Sequence, residues 1–223
     1  MADVSFPAVG PPCGYVATAG IGDAPSPLSY SVATEVIDSE YALQEADVVP
    51  HGQGTMILRL SGIERDSVLI ERIEPVIYKT EEVQPRWSLD EPNPDCGGFT
   101  TRKGILQLRA GEGMMLDYGD SWEVGDDERM NEFGSFYSIS DDDQMGMRVA
   151  VGACGARYYE FGLDITYSLR GVEYHEEVGS ETPFKIIGGD ATEHYLSSGS
   201  PGPDQVVLVD PPPVPPSSNS EAC

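Results

Sequence analysis

The side chains that could do chemistry in this chain are overwhelmingly carboxylates. Asp117 to Asp127, DYGDSWEVGDD, is an acidic stretch punctuated by glycine, and Asp141, Asp142 and Asp143 form a second acidic turn. Calcium takes six to eight oxygens, so two such loops brought together could hold it, but the regular D-x-D-x-D-G loop with its distal Glu is absent. Solvated turn residues are the better account of these stretches. A pair among Asp117, Asp120 and Glu123 could serve hydrolysis, although spacing along a chain does not give the separation of two carboxylates in space. The histidines His51, His175 and His194 are scattered, and none stands at ligand spacing from another. His175 lies beside Glu173 and Glu177 on what reads as the outward face of a strand, where a solvated imidazole is the ordinary outcome. No G-x-S-x-G elbow, phosphate-cradling loop or dinucleotide fingerprint occurs. No cofactor is expected.

Four cysteines, Cys13, Cys96, Cys154 and Cys223, show no C-x-x-C spacing, which argues against zinc and against a redox motif. Cys96 in PDCGG and Cys154 in GACGA both fall in glycine-flanked turns, where a disulfide could pin one loop to another; two unpaired thiols are the alternative. Trp87 sits in what reads as a long irregular loop from Glu81 to Gly98, broken by Pro85, Pro92 and Pro94. Such a residue is either a binding anchor presented by a loop or a cover for the core.

The elements that must position these residues are strands. From Tyr158 to Leu169, Tyr159, Phe161, Leu163, Ile165, Tyr167 and Leu169 fall at every second position, with mostly polar or small residues between them. That is a strand with one face for a core and one for water, and Gly162 on the wet face marks a bend or bulge. Arg170-Gly171 then turns the chain into VEYHEEV, giving a hairpin. We take this hairpin as the spine of the fold, central and paired on both sides.

Further strands are predicted at YSVATEVI, at Gly54 to Ser61, over SVLIERIEPVIYKT, at Gly104 to Ala110, at Met114 to Tyr118, in FGSFYSIS, at Met147 to Ala153 and in FKII. In SVLIERIEPVIYKT the apolar parity changes near Glu71, which a β-bulge explains, and Pro75 asks for an edge position. SEYALQEA, Ser39 to Ala46, is the best helix candidate. The sum is an all-β chain: an antiparallel two-sheet β-sandwich of Ig-like architecture with long loops and disordered termini. Residues 1–28 read as a Pro/Gly/Ala-rich linker, 29–190 as the β-sandwich domain, and 191–223 as a Pro/Ser-rich disordered tail, with QVVLV its one apolar island.

Composition narrows the partners. The 223 residues hold 38 Asp and Glu against 13 Lys and Arg, a net charge of −25. Without a basic cluster to displace counterions from phosphates, nucleic acid is a poor partner, and an anionic membrane surface is disfavoured for the same reason. The sequence has no basic n-region followed by an apolar run, and no stretch approaching eighteen apolar residues, so no direct membrane insertion by this chain is expected.

PDCGGFTTRKGILQL and YYEFGLDITYSLRGVEYHEEVGSETPFKI together resemble an uncharacterised β-sandwich domain of actinobacterial proteins over about residues 55 to 187. The shared motifs are a Cys-Gly-Gly after a Pro-containing loop, a long aromatic-aliphatic strand, and a glycine turn leading to a strand that ends in Pro-Phe. The resemblance implies an extracytoplasmic module, in that family often carried beyond a transmembrane helix, and brings no catalytic residues with it. The expected function is non-enzymatic: recognition of a protein partner through loops, or a structural role. The alternative is a hydrolase-like β protein with a carboxylate site in the acidic loops, dependent on calcium.

Overall fold

A computed structural model describes residues 2–6, 18–20, 49–62, 67–90, 102–119, 131–132, 137–140, 145–197 and 206–209. Every regular element among them is a strand. In chain order these are β1 (Ala2–Ser5), β2 (Thr18–Gly20), β3 (Val49–Pro50), β4 (Gln53–Leu60), β5 (Val68–Glu82), β6 (Trp87–Asp90), β7 (Arg102–Arg109), β8 (Glu112–Gly119), β9 (Asn131–Glu132), β10 (Tyr137–Ile139), β11 (Met145–Ala153), β12 (Arg157–Leu169), β13 (Val172–Val178), β14 (Phe184–Ile187), β15 (Glu193–Ser197) and β16 (Val206–Val209). The strand expected in YSVATEVI and the helix expected at Ser39 to Ala46 lie outside the described residues.

Two sheets share the main core. One runs β1-β4-β11-β7-β8-β9; the other runs β10-β5-β12-β13, with β14 pairing β12 alongside β13. The alternation read from the sequence decides which side chains meet. Met56, Leu58 and Leu60 of β4, Leu106 and Leu108 of β7, and Met147, Val149 and Val151 of β11 point one way. They join Ile70 and Ile73 of β5, and Tyr159, Phe161, Leu163 and Ile165 of β12, in one buried cluster. A third sheet, β16-β15-β6-β2-β3, gathers strands from distant parts of the chain.

Several expectations change here. The pairing is not purely antiparallel, because β11 lies parallel to β7 and β15 parallel to β6. The spine strand β12 is central, between β5 on one side and β13 and β14 on the other, but β11 does not pair with it. After Ala153 the chain crosses instead from the first sheet to the second through Cys154 to Ala156. The first 28 residues are more than a linker, since β1 pairs β4 and β2 pairs β3 and β6. The stretch after residue 190 is likewise more than a disordered tail, since β15 and β16 pair with each other. Short segments with little periodicity of their own gain order from partners far along the chain, which a local reading does not see.

The parity change in β5 is a bulge where the sequence places it. Thr166 pairs Arg72 and Tyr167 pairs Ile70, so Glu71 is the extra residue. A second shift occurs where Glu160 pairs Lys79 and Phe161 pairs Ile77, which leaves Tyr78 unmatched. Pro75 occupies a part of β5 where only β12 pairs it among the described strands, since β10 meets β5 at Val68–Ile70 alone.

Candidate functional site

The residues singled out from the sequence separate widely. Trp87 stands at the start of β6, 1% exposed. It is a core side chain of the third-sheet strand and not a loop-borne anchor. The irregular segment expected from Glu81 to Gly98 is shorter than it reads, because β5 continues to Glu82 and β6 begins at Trp87. Parallel pairing with β15 and antiparallel pairing with β2 cover the strand from both sides. Cys154, half-buried after β11, donates its backbone N–H to Leu108 and accepts from the Tyr159 hydroxyl at 2.8 Å through its carbonyl. Cys96, Asp120, Glu123, Asp141, Asp142 and Asp143 lie outside the described residues, and of Asp117 only the backbone, in β8, is described. Among the described residues no three His, Cys, Asp or Glu side chains converge as a metal would require.

His51 Nε2 donates to the Gly189 carbonyl at 2.7 Å and so ties the entry to β4 to the turn after β14. His175, on the outer face of β13 as expected, has Nδ1 3.3 Å from Thr166 Oγ1 and 3.6 Å from Asp164, and Nε2 3.5 Å from Glu173.

What the structure does bring together is a surface around β13. The hairpin turn places Arg170 at φ 53° and Gly171 at φ 77°, the two left-handed positions of a type I′ turn, whose twist suits the flanking strands. From there β13 runs beside β12 without a register shift, from Val172 opposite Leu169 to Val178 opposite Leu163. One face carries Glu173, His175 and Glu177, opposite Ser168, Thr166 and Asp164. The other carries Val172, Tyr174, Glu176 and Val178. Tyr174 stacks on Tyr167 with centroids 5.6 Å apart, yet remains 42% exposed, and Val172 is 53% exposed.

Gly162 was expected on the wet face and is buried. A Cβ there would meet the Val178 carbonyl oxygen at 2.4 Å and the Tyr78 hydroxyl at 2.5 Å, because the bulged Tyr78 lies across this position. The Tyr78 hydroxyl donates to Glu177 at 2.6 Å. Partial burial first, then that bond and the nearby carboxylates Glu177 and Asp164, push its pKa up to about 12. The glycine thus admits an aromatic ring that bridges β5 to β13 over the back of β12.

Beyond Val178 the chain opens into a groove of about 920 Å³ between β1 and the segment joining β13 to β14. Val4, Phe6, Val178 and Phe184 supply apolar walls, and Glu176 and Glu181 are among the acids lining it. Phe6 and Phe184 meet Phe161 in an aromatic triad with centroid separations of 5.5 to 6.1 Å, which fixes the groove to the core. Sequence reasoning missed this groove because its walls come from residues 4–6 and 176–185, which no local pattern connects. The Pro-Phe at Pro183-Phe184 was the only signal.

No protein-family model, curated protein or solved structure matches the chain.

Proposed function

We propose that this chain is a non-enzymatic recognition module, an Ig-like β-sandwich that binds a protein partner, and that it serves outside the cytoplasm, in keeping with its resemblance to actinobacterial β-sandwich domains. The observation that carries the reading is the open groove beside β13, with apolar walls anchored in the core and an acidic lining. A concave, mixed surface held by rigid strands suits capture of a protein segment. The test is selection of a displayed peptide library on the purified chain, with Thr182→Trp as the comparison because Thr182 is exposed and lines the groove. Enriched peptides should bind the parent chain and lose at least tenfold affinity for the Trp variant. Peptides indifferent to Thr182→Trp, or none above background, would remove the reading. Hydrolysis of glycoside, ester or peptide substrates that disappears in Asp117→Ala or Glu123→Ala would replace it with the carboxylate hydrolase.

We also propose that Cys154 and Cys96 form a disulfide. Both have glycine neighbours in the sequence, PDCGG and GACGA, and Cys154 sits at the crossing between the two main sheets. A bridge closing a loop of roughly 60 residues would stabilise the fold by about 4 kcal/mol in the chain-entropy picture. Non-reducing peptide mapping should return the two cysteines linked, with a lower denaturation midpoint in Cys154→Ser; separate thiols would refute it.

A further inference from the structure

We propose that β13 is a docking edge for an extended basic segment, which adds to the sheet as a further strand. The inference rests on the recognition reading above and names the chemistry of the partner. In the order β10-β5-β12-β13, β13 stands last, and among the described residues no strand pairs with its outer edge. Sequences usually close such an edge with proline, lysine or a bulge, or keep the strand very short. Val172 to Val178, VEYHEEV, has seven residues in unbroken register with no proline, lysine or bulge; its guard is charge alone, since Glu173, Glu176 and Glu177 repel an acidic or unmatched strand. Among the described residues nothing takes up its outer row of backbone donors and acceptors, which another chain could pair.

Charge decides which chain. Glu173, Glu176 and Glu177 lie on this one strand, and no Lys or Arg among the described residues forms an ion pair with any of them. The contacts they do make are with neutral or weakly basic groups. Glu177 accepts from Tyr78, Glu173 faces His175, and Glu176 accepts from the Ala2 backbone N–H at 3.2 Å. A second copy of the chain is a poor occupant. Centring an antiparallel pair of β13 strands on His175 sets Glu173 opposite Glu177 twice, and like charges directly opposite destabilise a sheet. The net charge of −25 opposes association of copies in every register.

The two faces specify the pattern of the incoming strand. Its residues beside Glu173 and Glu177 should be Lys or Arg. Those between them, beside the exposed Val172 and Tyr174, should be apolar or aromatic. At Val178 the docking edge runs into the groove, which would receive the end of the same segment.

The experiment uses the whole chain and an acetylated, amidated peptide Lys-Val-Lys-Tyr-Lys-Val-Arg, read by fluorescence anisotropy and by backbone amide exchange. Binding should slow exchange of the outward-pointing β13 amides, those not bonded to β12, which are expected to exchange freely in the chain alone. Affinity should fall at least tenfold when alternate peptide amides are N-methylated, since that removes the ladder bonds and keeps the charge. It should fall by a similar factor in Glu173→Lys with Glu177→Gln, once thermal unfolding shows that variant folded. Equal binding of the N-methylated peptide or of oligolysine would reduce the effect to unspecific attraction and overturn the proposal. So would outward-pointing β13 amides already protected in the free monomer, or protection of them that appears only as the chain dimerises. If library-selected peptides respond to Thr182→Trp but not to the β13 substitutions, the recognition reading stands and the docking edge falls; if they respond to neither, both fall.

Discussion

The two ends of β12 belong to the same strand and live in different surroundings. From Tyr158 to Leu163 almost every side chain is buried whichever way it points: Tyr159, Phe161 and Leu163 enter the main core, while Tyr158 packs with Ala19, Val49 and Ile187 on the far side. From Tyr167 to Leu169 the strand is half-buried, and its neighbours Val172 and Tyr174 reach water. Alternation of residue type is nearly the same at both ends. What differs is the number of layers laid over the strand, so burial here follows from tertiary covering by the third sheet, Tyr78 and the Phe6–Phe184 pair, and not from the hydropathy of β12 itself.

The sharpest test of that contrast is Phe161→Ala, which removes the centre of the aromatic triad at the doubly covered end. It should cost about 3–5 kcal/mol in urea unfolding. Trp87→Ala, in the covering sheet, should fall in the same range, and a near-neutral result would return Trp87 to the surface. Gly162→Ala comes next. Its added carbon meets a backbone carbonyl that cannot swing away, so overpacking should cost about 1–3 kcal/mol and expose Tyr78 to quenchers of its fluorescence. At the open end Tyr174→Ala should lose only its stacking on Tyr167, about 1 kcal/mol or less. A loss as large as that of Phe161→Ala would erase the distinction between the two ends.

The smallest effect is one of pH. The Tyr78 hydroxyl has its pKa raised from 10.0 to about 12 in the folded chain. Its contribution to stability is therefore fully present below pH 10 and lost as pH climbs through 12, because the unfolded chain gives up the proton first. The exposed setting of the ring keeps the effect modest. Tyr78→Phe should flatten that alkaline decline, and ultraviolet titration should lose one late-ionising phenol. An unchanged slope would show that Glu177 does not hold the hydroxyl.

Much of the strand framework was legible because alternation is a local signal. The run from Tyr158 to Leu169, the turn at Arg170-Gly171 and the bulge at Glu71 could all be read from neighbours within a few residues. The second bulge, at Tyr78, was not, since it packs on Gly162, more than eighty positions away, which in the sequence reads as one more small residue on a polar face. Trp87 misled for a related reason: prolines around it speak of a loop, whereas β2 and β15 supply the pairing that makes it a strand. The groove, and the outer edge of β13 that no described strand pairs, are invisible to pattern reading altogether, because they are defined by where partners stop.

The third sheet sets a schedule for synthesis. Its strands come from residues 18–20, 49–50, 87–90, 193–197 and 206–209. When β6 leaves the ribosome, its parallel partner β15 is still about 100 residues from being made, a wait of about 5–20 s at about 5–20 residues per second. During that interval the indole of Trp87 has only part of its cover, while β4 and β5 are already complete. The layer that closes over one end of β12 is thus the last to form, and a nascent chain halted before Glu193 should present to chaperones the tryptophan that the finished molecule hides.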